Sequence, residues 1–342
     1  LPAQTAEVFP SLEASPQAYA YARRGNNGAY SWRDLAEIAL WASGERGTAD
    51  SGAPVPSAAL ILRSAGELGS AAPADLRERG EFVLTFMHRR FLKSYSEHQT
   101  RLDQLLSSGR YNCVSSAVLY MLLASSVGLE VTGVMTRDHA FVTVNAGTEL
   151  IDVETTNPYG FDPGNRREFH DGFGRTTGFA YVPARNYRDR TSINQLELVS
   201  LILHNRIVEA ESRNRYAEAV ALALDRAALL SAQRGVPDAP FFEAPEKDLM
   251  DRLYNFGAAL IRGGKEEEAL RWAACAGARY PGTRWQEMTF AALNNLLGKH
   301  IRAQRITEAR EALSLHAPSL NPGNLAKLDA LVLDAELLRL TA

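Results

Sequence analysis

Hydrophobic residues recur at three- and four-residue spacing in the segment that follows Cys113. This spacing is the period of an α-helix, and the apolar positions cover most of its circumference. They are Val114, Ala117, Val118, Leu119, Met121, Leu122, Leu123 and Val127. We therefore predict a buried helix over residues 114–127. Asn112 can cap its start and Gly128 follows its end, which places Cys113 at the first helical position.

Three short segments after this helix are rich in Val, Thr and Phe, a composition that favours β-strands. They cover residues 130–136, 140–145 and 149–154, and Ala146, Gly147 and Thr148 form a turn between the last two. The pattern predicts consecutive strands of an antiparallel sheet that packs against the buried helix.

The remaining segments are mostly typical of helices and loops. We predict an amphipathic helix over residues 32–42, a flexible loop over 43–57 and a helical region over 73–106. Residues 157–190 are rich in Gly, Arg and aromatic residues, which predicts a loop with short strands. The predicted domains are an N-terminal extension (1–72), a central domain (73–190) and a C-terminal helical domain (191–342).

Cys113, His139 and Asp152 follow one another in the central segments. A cysteine acts as a nucleophile in its thiolate form, which requires an imidazole to take the proton and a carboxylate or amide to orient that imidazole. Amide N–H groups at the start of the helix favour a thiolate and can bind an oxyanion. We therefore predict that Cys113, His139 and Asp152 are catalytic residues.

The two-residue period of a strand sets a condition on this triad. His139 and Asp152 share a face of the sheet only if the loop between their strands has an even number of residues or a bulge. With a two-residue loop, Glu154 falls opposite His139 and Asp152 lies diagonally, so Glu154 is an alternative orienting acid. Because no second Cys or His has the spacing of a zinc site here, we predict no metal and no cofactor.

The order of helix, strands, Cys113, His139 and Asp152 resembles the transglutaminase-like superfamily of papain-like cysteine enzymes. The resemblance covers about residues 75–190 and includes the string IDVETTNP around Asp152. It implies that Cys113 is the nucleophile, His139 the general base and Asp152 the acid that orients it. Many eukaryotic members have Trp directly after the nucleophile, where this chain has Val114, which weakens the case for protein cross-linking.

A second resemblance covers residues 250–281, which are similar to a tetratricopeptide repeat. The large, small and helix-breaking positions of such a repeat are occupied by Leu253, Phe256, Gly257, Leu260, Gly264, Ala269, Ala273, Ala276 and Pro281. Fainter copies flank it at residues 194–230 and 286–316. The resemblance implies a short helical solenoid that either binds a protein partner or supports the central domain.

Composition narrows the functional classes. The chain has 342 residues, 46% hydrophobic and 23% charged, with a formal net charge of -3, which is typical of a globular protein with two domains. The absence of a basic field argues against a nucleic-acid partner, and no apolar segment is long enough to span a bilayer. The first residues, LPAQTAEVFPSLEAS, resemble a mature N-terminus after signal-peptide removal, so we expect a bacterial periplasmic or secreted protein.

We therefore predict an α+β protein with N-terminal helices, a transglutaminase-like core and a tetratricopeptide-like solenoid. The predicted function is thiol-dependent acyl transfer or hydrolysis on peptide or amide bonds, as a peptidase, an amidase or a transglutaminase. The alternative is a catalytically inactive relative that binds a protein partner through its repeats.

Overall fold

The computed structural model describes residues 9–25, 29–45, 55–164, 166–183, 185–231 and 241–341. Most of these residues are helical, and the main sheet is small and antiparallel. The protein therefore belongs to the α+β class, as predicted, with many helices. None of the described helices combines the length and apolar character needed to cross a membrane.

Residues up to 193 contain both helices and strands, and the regular elements described after them are helices. The helices are α1 (Pro16–Ala22), α2 (Trp32–Ala42), α3 (Pro56–Ala71), α4 (Leu76–Arg90), α5 (Leu102–Ser108), α6 (Cys113–Ser126), α7 (Arg167–Thr177), α8 (Gln195–Ser212), α9 (Tyr216–Leu230), α10 (Pro245–Arg262), α11 (Glu266–Arg279), α12 (Arg284–Arg302), α13 (Ile306–His316) and α14 (Pro322–Thr341). The strands are β1 (Ser94–Tyr95), β2 (Arg110–Tyr111), β3 (Glu130–Met135), β4 (Ala140–Asn145), β5 (Leu150–Val153) and β6 (Thr191–Ile193).

The main sheet has the strand order β5-β4-β3-β6, with every neighbouring pair antiparallel. Met135 pairs with Ala140, so His139 lies in the turn directly before β4. Residues 146–149 connect β4 to β5, and Asn145 pairs with Leu150. This loop has an even number of residues, which satisfies the condition that strand parity sets for the predicted triad.

Helix α6 is the centre of the core around this sheet. Every residue from Cys113 to Ala124 is buried, so the helix has no solvent face. It contacts β3 and β4 on the sheet and helices α2, α3, α4, α5 and α8. The predicted buried helix, with Cys113 at its first position, is confirmed.

The helical prediction for residues 73–106 is wrong over residues 91–101, between α4 and α5. Helix α4 ends at Arg90, and the chain then forms β1, which pairs in parallel with β2. Backbone hydrogen bonds from Lys93 N to Gly109 O and from Ser96 N to Tyr111 O hold this extended segment. Its pairing partner lies beyond α5, so the helical period of nearby apolar residues did not reveal it.

The predicted loop over residues 157–190 also contains a helix, α7. Phe169 and Phe173 are spaced by four residues and are both buried on its inner face. The glycines within this segment favoured a loop prediction, and tertiary burial of the two rings overrides that preference.

The chain divides into two compact units. One consists of Ala14–Arg213 and Leu222–Pro245, and the other of Asn214–Ala221 and Glu246–Ala342 together with residues up to Glu13. The first unit contains the whole sheet and α6. The predicted boundaries at 72/73 and 190/191 both fall inside it, because α2 and α8 pack directly on α6.

The second unit is helical where the sequence predicts repeats. Helix α10 ends at Arg262, a turn with Gly264 at φ +73° follows, and α11 ends two residues before Pro281. Trp272 on α11 is fully buried and donates from its indole N–H to the Leu253 carbonyl at 2.9 Å. The predicted turn and helix ends between residues 253 and 281 are therefore present.

We expect Gly257→Ala to destabilise the second unit by about 1–3 kcal/mol, because overpacking a close helix contact displaces its neighbours. A Cβ at Gly257 would lie 2.3 Å from Met288 Sδ and 2.9 Å from Trp272 Cδ1. The measurement is the free energy of unfolding in denaturant. Gly298→Ala in α12 is the matched control, since its new methyl meets only the flexible end of Arg302 at 3.2 Å. Equal stability of the two variants would show that α10 does not need a small residue here.

Candidate active site

Cys113 is held at the amino end of α6 by a reciprocal cap. The Asn112 side chain accepts a hydrogen bond from Ser115 N at 2.9 Å, and Ser115 Oγ accepts one from Asn112 N at 3.0 Å. This capping box fixes the first turn of the helix and so the position of the thiol. The first N–H groups of a helix have no acceptor within the helix, and the cap takes that of Ser115, which leaves the N–H groups before it available near Cys113.

His139 lies beside this helix end, in the turn between β3 and β4. Thr136 N donates to the His139 carbonyl at 2.9 Å and closes the turn. The imidazole is buried, with Nε2 at 2.7 Å from Oε2 of Glu154. Its other nitrogen, Nδ1, is also buried and makes no hydrogen bond of ordinary geometry with any described residue. Nε2 of the imidazole therefore contacts Glu154, and Nδ1 is available to interact with the Cys113 thiol.

Glu154 is fully buried, and both oxygens of its carboxylate are held by contacts with other side chains. Oε2 contacts His139, and Oε1 accepts a hydrogen bond from Thr156 Oγ1 at 2.8 Å. Its backbone N–H donates to the Gly160 carbonyl at 2.8 Å. A Cβ at Gly160 would lie 1.9 Å from the Glu154 carbonyl oxygen, so only glycine permits this tight turn.

The charges around His139 determine its protonation. Burial alone would lower the pKa of His139, but the negative charge of Glu154 and the nearby Cys113 outweigh burial and raise this pKa from 6.5 to about 10. The imidazole is therefore cationic at neutral pH. A cationic imidazole between a carboxylate and a thiol is the arrangement that stabilises a thiolate.

Asp152 does not contact His139, which corrects the predicted triad. Its carboxylate accepts two hydrogen bonds from the Arg190 guanidinium, at 2.8 and 2.9 Å, and one from Tyr181 Oη at 2.5 Å. The cause is the register, because a four-residue loop places Asp152 opposite Thr143. His139 is four positions away along the strand, roughly 13 Å at the usual rise per residue. The alternative acid, Glu154, occupies the orienting position.

Two residues on other elements hold the segment that carries Glu154. His88 Nε2 lies 3.1 Å from the Thr155 carbonyl, and Tyr111 Oη donates to the Thr156 carbonyl at 3.2 Å. Burial lowers the pKa of His88 to about 4, so the ring is neutral and its Nε2–H donates to the carbonyl. The sequence indicated no role for His88, because its partner is far away along the chain.

Aromatic rings enclose the imidazole. The ring centroids of Phe179 and Phe173 lie 5.1 and 5.5 Å from that of His139. Tyr159, Phe161 and Tyr181 belong to the aromatic-rich segment 157–190, but none of the three lines the cavity beside Cys113. Phe161 is buried and its backbone pairs with Val153 of β5, and Tyr181 donates to Asp152. Phe179 is the residue of this segment that lines the cavity.

A cavity of about 600 Å³ opens beside Cys113 and His139 within the first unit. Its walls carry both signs of charge and come from the β1 segment, the β3–β4 turn and α8. The lining includes Tyr95, Glu97, Arg137, Asp138, His204 and Asn205. His204 and Asn205 on α8 thus face this cavity. Cys113 belongs to no cluster of metal ligands among the described residues.

No family model and no curated protein matches this chain. Among solved structures, a match is found to menin, from a crystal structure described as revealing its binding site for the Mixed Lineage Leukemia protein. The match has 14% sequence identity, a TM-score of 0.38 and coverage of 88% of this chain and 78% of that chain. This similarity is too weak to establish a common fold, so the account of the site depends on its own geometry.

We expect Glu154→Gln to lower the pKa of His139 from about 10 towards its ordinary value of 6.5, because the substitution removes the charge that stabilises the imidazolium. Asp152→Asn is the matched control. It removes a carboxylate from the same strand, and we expect it to leave the pKa of His139 high while it weakens the Arg190 contact. An NMR titration of isotope-labelled histidine measures both. If the pKa of His139 falls in Asp152→Asn and not in Glu154→Gln, Asp152 and not Glu154 orients the imidazole.

Proposed function

We propose that the protein is a thiol-dependent acyl-transfer enzyme in which Cys113 is the nucleophile, His139 the acid-base group and Glu154 the residue that orients it. The observation that carries this proposal is the burial of His139 against Glu154, with its second nitrogen left for Cys113. A buried cationic imidazole held next to a thiol at a helix start has the parts that nucleophilic cysteine catalysis requires.

The proposed reaction begins with the thiolate of Cys113 and the imidazolium of His139. The thiolate attacks a substrate carbonyl, and the resulting oxyanion receives hydrogen bonds from free N–H groups at the start of α6. His139 then protonates the leaving amine, which leaves an acyl group on Cys113. Water or a substrate amine attacks this thioester after His139 has taken up its proton.

The substrate class follows from the cavity that gives access to the thiol. Its walls mix acidic, basic and aromatic side chains, which suits a peptide or an amide better than a purely apolar acyl chain. Water reaches an acyl group in such a polar cavity readily, so we favour hydrolysis over transfer to a lysine amine. The helix that carries Cys113 packs on β3 and β4, with His139 directly before β4 and Glu154 directly after β5, and this arrangement also supports our proposal of a transglutaminase-like core.

A second candidate is a catalytically inactive protein that binds a partner through the helices of its second unit. The low solvent exposure of Cys113 and His139 favours this second candidate, since the two residues are only 8% and 6% exposed. A substrate carbonyl would have to enter the cavity to reach the sulfur. The two candidates differ in what they require of Cys113, because a binding protein does not need a reactive thiol.

We expect iodoacetamide to alkylate Cys113 rapidly at pH values where an ordinary thiol is unreactive, because His139 is cationic and a cationic imidazole beside a sulfur favours its reactive form. His139→Ala should slow this reaction roughly tenfold or more at neutral pH. Peptide mass spectrometry follows the modification, with the exposed Cys275 as the reference thiol in the same molecule. Slow labelling of Cys113 that is unchanged by His139→Ala would contradict the enzyme proposal and favour the binding protein.

A further inference from the structure

Tyr95 carries a buried hydroxyl that nothing in the described chain uses. Its Oη has essentially no contact with solvent and no hydrogen-bond partner among the described residues. A buried hydroxyl without a partner destabilises a folded protein, and such groups are uncommon unless they serve a ligand. The location of this hydroxyl therefore requires an explanation.

The local backbone fixes Tyr95 near the catalytic cysteine. Tyr95 pairs with Tyr111 in the parallel ladder of β1 and β2, and Tyr111 is two residues before Cys113. The two tyrosine rings pack edge to face with centroids 5.9 Å apart, and Tyr111 is itself anchored to the Thr156 carbonyl. Tyr95 also lines the cavity that Cys113 and His139 share.

The other polar side chains at this end of the helix are already engaged. Asn112 Nδ2 donates to the Glu97 carbonyl at 3.0 Å, while its Oδ1 accepts from Ser115 N. Ser116 Oγ lies 2.8 Å from Thr155 Oγ1. Among these neighbours, Tyr95 alone retains an unused hydroxyl donor.

Tyr95 also remains a neutral donor. Burial, followed by the negative charges of Cys113 and Glu97, raises the pKa of Tyr95 above its ordinary value. The hydroxyl proton is therefore present throughout the neutral range.

We propose that the Tyr95 hydroxyl donates a hydrogen bond to the oxyanion that forms when Cys113 attacks a carbonyl, and so completes the oxyanion site begun by the N–H groups of α6. This assignment rests on the proposed function. It predicts that Tyr95 contributes to acyl transfer and contributes nothing to alkylation of the same sulfur, because displacement of iodide creates no oxyanion.

With p-nitrophenyl acetate as probe, the Cys113 sulfur forms a bond to the acetyl carbon and the carbonyl oxygen takes the negative charge. The oxyanion then collapses, the bond to p-nitrophenolate breaks, and an acetyl thioester remains. Water adds to the thioester with His139 as base, and acetate and free Cys113 are released. The released p-nitrophenolate reports acylation directly.

The experiment compares Tyr95→Phe with the parent protein, both carrying Cys275→Ser, for acylation by p-nitrophenyl acetate and for alkylation by iodoacetamide. We expect acylation to fall about a hundredfold to a thousandfold, with the alkylation rate unchanged. The thermal midpoint should stay equal or rise, because phenylalanine keeps the ring packing and removes an unpaired hydroxyl. Tyr159→Phe, at an exposed tyrosine outside the cavity lining, should change neither reaction.

The outcomes separate the two proposals. Acylation of Tyr95→Phe at the parent rate, or a parent that alkylates fast but is not acylated, overturns the assignment of Tyr95 and leaves the Cys113 and His139 pair standing. An equal loss of both reactions also overturns it, since Tyr95 would then act on the thiol itself. Alkylation of the parent that is slow and independent of His139 removes the proposed function and the role of Tyr95 with it.

Discussion

The hydrogen bond between His139 and Glu154 is the interaction on which the geometry of the site depends. A fully buried carboxylate is strongly destabilising unless it is paired and hydrogen-bonded, and Glu154 meets both requirements through the imidazolium and Thr156. The pairing commits Nε2 of the ring. In the proposed mechanism, Nδ1 is consequently the atom that exchanges a proton with Cys113, and the imidazole cannot rotate away from it.

This hydrogen bond depends in turn on constraints of the backbone. The four-residue connection between β4 and β5 sets the register, and the close turn at Gly160 returns the chain against Glu154. His88 and Tyr111 hold the next two carbonyls, so the segment that carries the acid is fixed to α4 and β2. The position of Glu154 therefore depends on contacts with segments that are distant along the chain.

The sequence was sufficient for the parts of the site that depend on local patterns. Helix period and capping residues located Cys113 at the start of α6, and strand parity placed His139 on the face that carries Glu154. Parity could not choose between Glu154 and Asp152, because both residues lie on the face of the sheet that His139 shares. Tyr95 and Phe179 gave no local signal, since their position beside the site comes from pairing and packing with distant segments.

The central claim is that the imidazolium of His139 activates the Cys113 thiol as a nucleophile. The most direct measurement is the ultraviolet absorbance of the thiolate as a function of pH in the folded Cys275→Ser protein, which has Cys113 as its remaining thiol. The account predicts one thiolate per chain at neutral pH, and its loss there in His139→Ala. Absorbance that appears only in the alkaline range, and is the same with and without His139, would contradict the account.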